Sequence, residues 1–217
     1  MFKVKKFVDL SWPVTKDTPI YPGDPEPNIE VATTMENEGY NLSGVFLGTQ
    51  TGSHVDAPYH FSNDGDTIDK MELDFFFGEA VVVRVTDKKA EEEITMSDIE
   101  PYKGKIKPGK IVMFNTNWYK KLGTDEFFTH PYLSAEVAEY LVESGVRFIC
   151  IDTINADKTG GTEFPVHDLF CAKRLIIGEN MANFDKIDFE NVVLAAFPLN
   201  IVGTDGSPVR AVAMEIE

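Results

Sequence analysis

Two histidines and a carboxylate lie close together in one short segment of this sequence. His54, Asp56 and His60 fall within it, although the whole chain has only 4 histidines. Gly52 and Pro58 argue against a continuous helix there. In an extended segment His54 and Asp56 would share a face, which is a ligand pair suited to Zn²⁺ or Mn²⁺. The spacing predicts a metal site with His60 as third ligand or proton carrier. The alternative is two surface histidines beside a turn.

Further ligands must come from elsewhere in the chain. His167 falls on a short predicted helix that begins at Pro165. Glu179 follows the apolar run 175–177, and a carboxylate at the end of a buried strand must be hydrogen-bonded, paired or metal-bound. Both residues are therefore candidate ligands. His130 is expected to cap or pack at the start of another helix, for which Ser134 is the predicted N-cap.

The composition indicates a globular protein and excludes some partners. The chain has 217 residues, with 36 acidic and 20 basic side chains and a net charge of −16. This charge disfavours nucleic acids and anionic membrane surfaces. The N-terminal segment MFKVKKFVDL is too short and too charged for a signal peptide. Two cysteines cannot form a disulfide framework, so we expect a cytoplasmic protein.

Strand-like runs outnumber helical ones. Few helices between many strands favour an α+β fold with a mixed sheet, because a doubly wound parallel fold needs more crossover helices. No linker divides the sequence, so we expect residues 1–217 to form one domain. The two strand-like runs on either side of residues 203–208 are predicted to form a hairpin, because Asp205-Gly206 supplies typical turn residues. The predicted strands are 29–34, 45–51, 80–85, 111–115, 148–152, 175–177, 192–197 and 209–214.

The segment 50–61 resembles a known signature. It is similar to the His-Thr-Gly-x-His-x-Asp-Ala-Pro-x-His motif of the metal-dependent cyclase-like hydrolases, the family of the kynurenine formamidase and isatin hydrolase type. Other segments resemble that family in the same order, so the resemblance covers nearly the whole chain. They are 9–11, 19–25, 146–152, 166–169, 178–179 and 202–210.

The resemblance implies a fold, an activity and a role for each matching residue. The fold would be a compact β/β/α (swivelling-domain-like) domain, assembled as a homodimer or homotetramer. The activity would be hydrolysis of a small amide, formamide or lactam by metal-activated water, with one or two Zn or Mn ions per chain. His54 and Asp56 would ligate a first ion, and Asp56 would also touch a second. His167 would ligate that second ion, and Glu179 would bridge both. His60 would be the proton donor and acceptor.

Two positions depart from the family pattern. Gln50 stands where the family has its first metal-binding histidine, and its neutral oxygen would weaken that site or favour Mn²⁺. Gln50 could instead orient a water or a ligand carboxylate. Tyr21 replaces a substrate-contacting tryptophan and would bind an aromatic or cyclic small molecule. Two alternatives to the arylformamidase-like enzyme stay open: a ligand-binding or sensor protein of the same fold, and a lactone or isatin-type ring hydrolase.

Overall fold

Thirteen strands, four α-helices and seven short 3₁₀ helices make up the regular structure of residues 3–217, the part of the chain that this computed structural model describes. Met1 and Phe2, which begin the charged N-terminal segment, lie outside it. The strands are β1 (Val4–Asp9), β2 (Asn28–Thr33), β3 (Leu42–Phe46), β4 (His54–Asp56), β5 (Phe77–Arg84), β6 (Glu93–Ile94), β7 (Ile111–Asn115), β8 (Tyr132–Leu133), β9 (Phe148–Ile151), β10 (Ile176–Glu179), β11 (Val192–Ala195), β12 (Gly206–Pro208) and β13 (Val212–Ile216). The helices are α1 (Met35–Glu38), α2 (Met96–Ile99), α3 (Ala135–Glu143) and α4 (Pro165–Ala172).

Nine of the strands form one mixed sheet, in the order β1-β13-β11-β5-β7-β9-β10-β4-β12. The central strands β5, β7, β9 and β10 are parallel, and the strands on both sides of them pair antiparallel. Two small sheets, β2-β3 and β6-β8, complete the fold. The predicted α+β class with a mixed sheet and few helices is confirmed. Within residues 3–217, no helix has the length and apolar character needed to cross a membrane.

The two longer helices begin where the sequence predicts. The Ser134 hydroxyl accepts the Val137 N–H and caps α3, and Pro165 is the first residue of α4. Gly145, in the left-handed region at φ 76°, follows the end of α3, where glycine is favoured. Both helices cover the same face of the sheet.

The sheet is buried on both faces. Along β7, Met113 packs in one hydrophobic cluster, and Val112 and Phe114 pack in the other. Side chains of a strand alternate between the two faces, and a parallel strand covered on both sides reads as a continuous apolar run. Cys150 on β9 packs in the first cluster. The central strands therefore form a rigid support for the residues at their ends.

One expected strand is wrong, and one expected hairpin has a different connection. The strand expected at 45–51 ends at Phe46. The strands on either side of the expected hairpin, β11 and β13, pair antiparallel as predicted, but no tight turn forms at Asp205-Gly206 because Gly206 pairs with Asp56 as part of β12. A Cβ on Gly206 would lie 2.7 Å from the Val55 carbonyl oxygen. Glycine is required there by the close approach of two strands, and not by a turn.

Asp152 ties the ends of β7 and β9 together. It is fully buried, and its carboxylate accepts hydrogen bonds from the backbone N–H groups of Thr116 and Asn117, the Thr116 hydroxyl and the Asn115 amide. Burial outweighs these bonds and raises the pKa of Asp152 to about 6. Burial of this carboxylate is therefore unfavourable in itself, and the hydrogen-bond donors around it hold it in place.

We expect Asp152→Asn to lower the free energy of unfolding by about 2–4 kcal/mol. The amide nitrogen of the new asparagine would face hydrogen-bond donors and could not accept a bond from them. Urea denaturation followed by circular dichroism measures this difference. The control is Asp188→Asn, whose exposed carboxylate pairs with Lys6 and should change stability by less than about 0.5 kcal/mol. Equal effects of the two variants would contradict the prediction.

Candidate metal centre

The strand β4 lies between β10 and β12 and carries the first residues of the site. His54 is the register partner of Glu179 on β10, so their side chains are neighbours on one face. Asp56, two residues along β4, shares that face. All three side chains are buried, and their ligand atoms lie within 4.8 Å of one another. The expectation that His54 and Asp56 lie side by side agrees with this geometry.

The helix α4 brings His167 to the same cluster. Its Nε2 lies 3.3 Å from Glu179 Oε1 and 3.7 Å from Asp56 Oδ2. On the other side, His54 Nε2 lies 3.6 Å from Glu179 Oε2 and 3.5 Å from Asp56 Oδ1. Each carboxylate therefore directs one oxygen toward each imidazole, so the cluster has two halves that share their carboxylates.

Hydrogen bonds fix both imidazole rings with Nε2 toward the carboxylates. His54 Nδ1 donates to the Gly52 carbonyl oxygen at 2.8 Å. His167 Nδ1 donates to Asp157 Oδ2 at 2.7 Å, and Asp157 also accepts the backbone N–H groups of Val166 and His167. In the neutral rings the Nε2 lone pairs therefore point at Asp56 and Glu179. A metal-binding histidine has this arrangement, with its other nitrogen held by an oxygen acceptor.

The charges of the cluster favour a bound cation. Burial lowers the pKa of His54, but the hydrogen bond to Glu179 and the charge of Asp56 outweigh it and raise the pKa to about 9. Burial acts to raise the pKa of Glu179, yet His167 and His54 hold it well below its usual value. Both Asp56 oxygens are buried and accept no hydrogen bond from residues 3–217. Two nitrogen and two carboxylate ligands fit Zn²⁺ or Mn²⁺.

His60 lies beside the cluster and is held by Asp205. Its Nδ1 donates to Asp205 Oδ2 at 2.9 Å, which leaves Nε2 as the free nitrogen. Burial lowers the pKa of His60, but the Asp205 hydrogen bond overcomes it and the pKa is raised. Asp205 also accepts hydrogen bonds from the Thr49 hydroxyl and the Gln50 amide. The arrangement suits a ring that accepts and returns protons.

Gln50 and Tyr21 both line the cavity above the cluster. Gln50 Nε2 donates to Asp205 Oδ2 at 2.9 Å, so its Oε1 is the opposite end of the amide. That oxygen is buried and accepts no hydrogen bond within the described chain. The Tyr21 hydroxyl accepts the Gly160 N–H at 3.3 Å. The cavity has a volume of about 200 Å³.

Comparison with known proteins gives the family. Residues 8–158 match the model of a family described as putative cyclase. The chain belongs to this family. A kynurenine formamidase from Bacillus mycoides (strain KBAB4) is 31% identical over 216 residues, which cover 99% of this chain and 100% of that relative. A kynurenine formamidase from Bacillus cytotoxicus is 29% identical over 213 residues, covering 97% and 98%. The resemblance inferred from the motif is confirmed.

Solved structures share the cyclase fold. Isatin hydrolase A from Labrenzia aggregata superposes with a TM-score of 0.90 at 23% identity, covering 98% of this chain and 94% of that one. A predicted metal-dependent hydrolase from Bacillus stearothermophilus gives a TM-score of 0.81 at 25% identity, covering 96% and 98%. The mixed sheet with few helices is therefore the architecture of this group of structures.

Sequence reasoning missed three residues of this cyclase-family site. Asp205 lies in a segment that resembles the family, but no pattern linked it to His60. Asp157 follows β9 and orients His167. Asn180 directly follows Glu179 and lines the cavity. His130 lies outside the cluster as expected, because its ring bonds the Pro131 carbonyl and the Thr159 hydroxyl.

Proposed function

We propose that this chain hydrolyses a small amide, formamide or lactam, and that an aryl formamide is its first candidate substrate. The chain is a hydrolase of carbon–nitrogen bonds other than peptide bonds, as its kynurenine formamidase relatives indicate. The observation that carries the proposal is the cluster of two oriented imidazoles and two buried carboxylates, with the His60–Asp205 pair beside it.

The residues divide the work between holding a metal and moving a proton. His54, Asp56, His167 and Glu179 would hold Zn²⁺ or Mn²⁺, which when bound supplies the positive charge that acidifies a water and polarises the substrate carbonyl. His60 Nε2 would take a proton from the attacking water and return it to the leaving nitrogen as the C–N bond breaks. Asp205 would keep His60 in the tautomer that accepts at Nε2.

Aromatic side chains would hold the substrate. The rings of Phe61 and Phe164 lie 5.4 Å apart, and Phe61 lies 4.7 Å from the His167 ring. Tyr21 lines the same cavity. These walls suit a small planar molecule that stacks or packs against rings, which supports an aromatic or cyclic substrate and Tyr21 as a substrate-binding residue.

Gln50 would complete the His54 half of the cluster through its amide oxygen. Its Nε2 is engaged by Asp205, and its buried Oε1 accepts no hydrogen bond from the residues described. Because each carboxylate divides its two oxygens between the imidazoles, the cluster has places for one or two ions. A neutral oxygen ligand would bias the His54 half toward Mn²⁺.

We expect Gln50→His to raise Zn²⁺ affinity by about tenfold, because imidazole is a better zinc ligand than an amide oxygen. Competition with a chromogenic chelator measures the affinity, and elemental analysis counts the ions. Gln50→Ala is the matched control and should weaken binding. If Gln50→Ala keeps the wild-type affinity for both metals, Gln50 is not a ligand.

A homodimer or homotetramer is supported by the hairpin β2-β3. The two strands pair only with each other in the described chain. Ile29 and Val45 are register partners, and Val31 lies two residues from Ile29, so the three share a face. Their exposed fractions are 38%, 60% and 72%. An apolar face of this kind is typical of an interface, and we propose that a second copy of the chain covers it.

We expect the double substitution Val31→Lys and Val45→Lys to convert the oligomer to monomer, because buried lysines would lack partners at the interface. Light scattering after size-exclusion chromatography measures the mass. Glu30→Lys, on the opposite face of the same hairpin, is the control and should leave the mass unchanged. A monomeric wild type at micromolar concentration would contradict the proposed assembly.

We propose a cytoplasmic location and a single domain for this chain. Both cysteines are buried free thiols, which supports a reducing, cytoplasmic environment. The strands β1 and β13 pair with each other, and ligands come from β4, α4 and β10. These links between distant parts of the chain support residues 1–217 as one domain.

One experiment separates the candidate functions. The purified protein is analysed for bound metal and then assayed with aryl formamides, isatin-like lactams and lactones in the presence of Mn²⁺ or Zn²⁺. Turnover of formamides supports the proposal. Preference for lactams would favour a ring hydrolase, a candidate supported by the fold shared with isatin hydrolase. Ligand binding without any turnover would favour the sensor.

A further inference from the structure

Asn180 has an unusual backbone conformation beside the metal centre. It directly follows Glu179 and lies in the left-handed region at φ 53°. Its N–H donates to the Thr153 carbonyl at 2.7 Å, and its carbonyl accepts the Ser53 hydroxyl at 2.6 Å. The backbone is therefore fixed on both sides. Strained positions of non-glycine residues that are fixed in this way are typical of functional sites.

The Asn180 side chain has a hydrogen-bond acceptor that no donor in the described chain satisfies. The residue is only 4% exposed and lines the same cavity as His60 and His167. Its Oδ1 is buried, yet residues 3–217 provide no donor to it. A buried amide oxygen without a partner is unfavourable. Because Oδ1 itself has almost no accessible surface, a ligand in the cavity would meet it after the amide turns about its last side-chain bond, while the backbone stays fixed.

A substrate amide offers the missing donor. In the proposed reaction the substrate carbonyl faces the metal centre, and the remaining polar group of the scissile bond is its N–H. The histidine nitrogens and the carboxylates of the cluster face one another and would be engaged as ligands when a metal is bound. We propose, on the basis of the proposed function, that Asn180 Oδ1 accepts the N–H of the scissile amide and so selects secondary amides over esters and N-alkylated amides.

The physical basis of this selection is the cost of an unpaired polar group. An ester places an oxygen acceptor where the amide has its N–H, so two acceptors would face each other. An N-methyl amide places a methyl group there. Sites that hydrogen-bond a substrate N–H reject analogues that lack it, because the protein group is left buried without a partner.

The test compares formanilide with phenyl formate, each rate corrected for the uncatalysed reaction. Asn180→Gly removes the amide and keeps a residue that tolerates the left-handed backbone. We expect it to lower kcat/KM for formanilide by about 10- to 100-fold and to leave kcat/KM for phenyl formate unchanged or higher, because the acceptor that faces the ester oxygen is removed. Metal content should not change. A purely structural role would lower both rates together.

Asn183→Gly is the matched control. Asn183 also has a left-handed backbone, at φ 60°, and its amide donates to the Asp9 carbonyl. This variant should keep the amide-to-ester ratio of the wild type. If Asn180→Gly keeps that ratio as well, the inference is wrong while the proposed function stands.

A second measurement needs only the wild type. We expect N-methylformanilide to react at least tenfold more slowly than formanilide, beyond their difference in chemical reactivity. Equal corrected rates would overturn the inference even if Asn180→Gly fails to fold. A metal-loaded wild type that hydrolyses neither formanilide nor phenyl formate overturns the proposed formamidase function together with the inference.

Discussion

Asp56→Asn is expected to abolish metal binding and hydrolysis together. Asp56 directs one oxygen to His54 and the other to His167, so it belongs to both halves of the cluster. Loss of a residue that merely orients a ligand costs about 10- to 100-fold in metal affinity. We therefore expect the loss of a shared ligand to exceed about 100-fold. Calorimetric titration with Mn²⁺ and Zn²⁺ measures it, and kcat should fall in parallel.

Thermal stability gives a readout of this variant that does not depend on activity. Metal at 100 times its dissociation constant stabilises the folded state by about 2.7 kcal/mol, which is about 5–10 °C in Tm for a chain of this size. The wild type should gain this increment and Asp56→Asn should not. Because Asp56→Asn also removes the negative charge that faces His54 and His167 in the metal-free protein, the quantity compared is the rise in Tm on adding metal within each variant.

Asp24→Asn is the control for charge in the same cavity. Asp24 lines the cavity but is not part of the ligand cluster, and burial raises the pKa of its carboxyl. Its replacement should leave the increment in Tm intact. If Asp24→Asn also removes the response to metal, the ion is held by the general negative charge of the cavity, and the specific role of Asp56 is wrong.

The parts of the site that the sequence predicts are those that depend on local geometry. The period of two in an extended strand is enough to place His54 beside Asp56. Pro165 sets the start of α4 and hence the turn that carries His167, and the apolar run before Glu179 identifies a strand end. Each inference uses a rule that acts over a few residues, and each survives in the folded chain.

The pairing of distant strands places the residues that these local rules cannot place. Asp205 reaches His60 because β12 pairs with β4, in a register where Gly206 lies opposite Asp56. A shift by one residue would turn the side chains to the other face, and no local signal sets that register. The same pairing explains why no tight turn forms at Asp205-Gly206, although the flanking strands β11 and β13 do pair. Asp-Gly is a strong turn signal, but the glycine at 206 is needed to let Val55 and Gln50 approach.

His60→Ala is expected to lower kcat by about 10²- to 10⁴-fold, the usual contribution of general acid–base catalysis. His60 Nε2 is the nitrogen of the ring that Asp205 leaves unbonded, and the five proposed ligands do not include it. Metal affinity should therefore stay within about threefold of the wild type. Stopped-time assays under saturating substrate give kcat, and chelator competition gives the affinity. A variant that keeps full activity would show that another group carries the proton.

The double variant that combines His60→Ala with Asp205→Asn tests whether Asp205 acts through His60. As a single change, Asp205→Asn should lower kcat by about 10- to 100-fold, because it loosens the orientation of His60 without removing the ring. If Asp205 acts only through His60, adding Asp205→Asn to His60→Ala should cost nothing more, since residues that work as a unit are not additive. A further loss in the double variant would mean that Asp205 also supports the reaction through Gln50, whose amide it accepts.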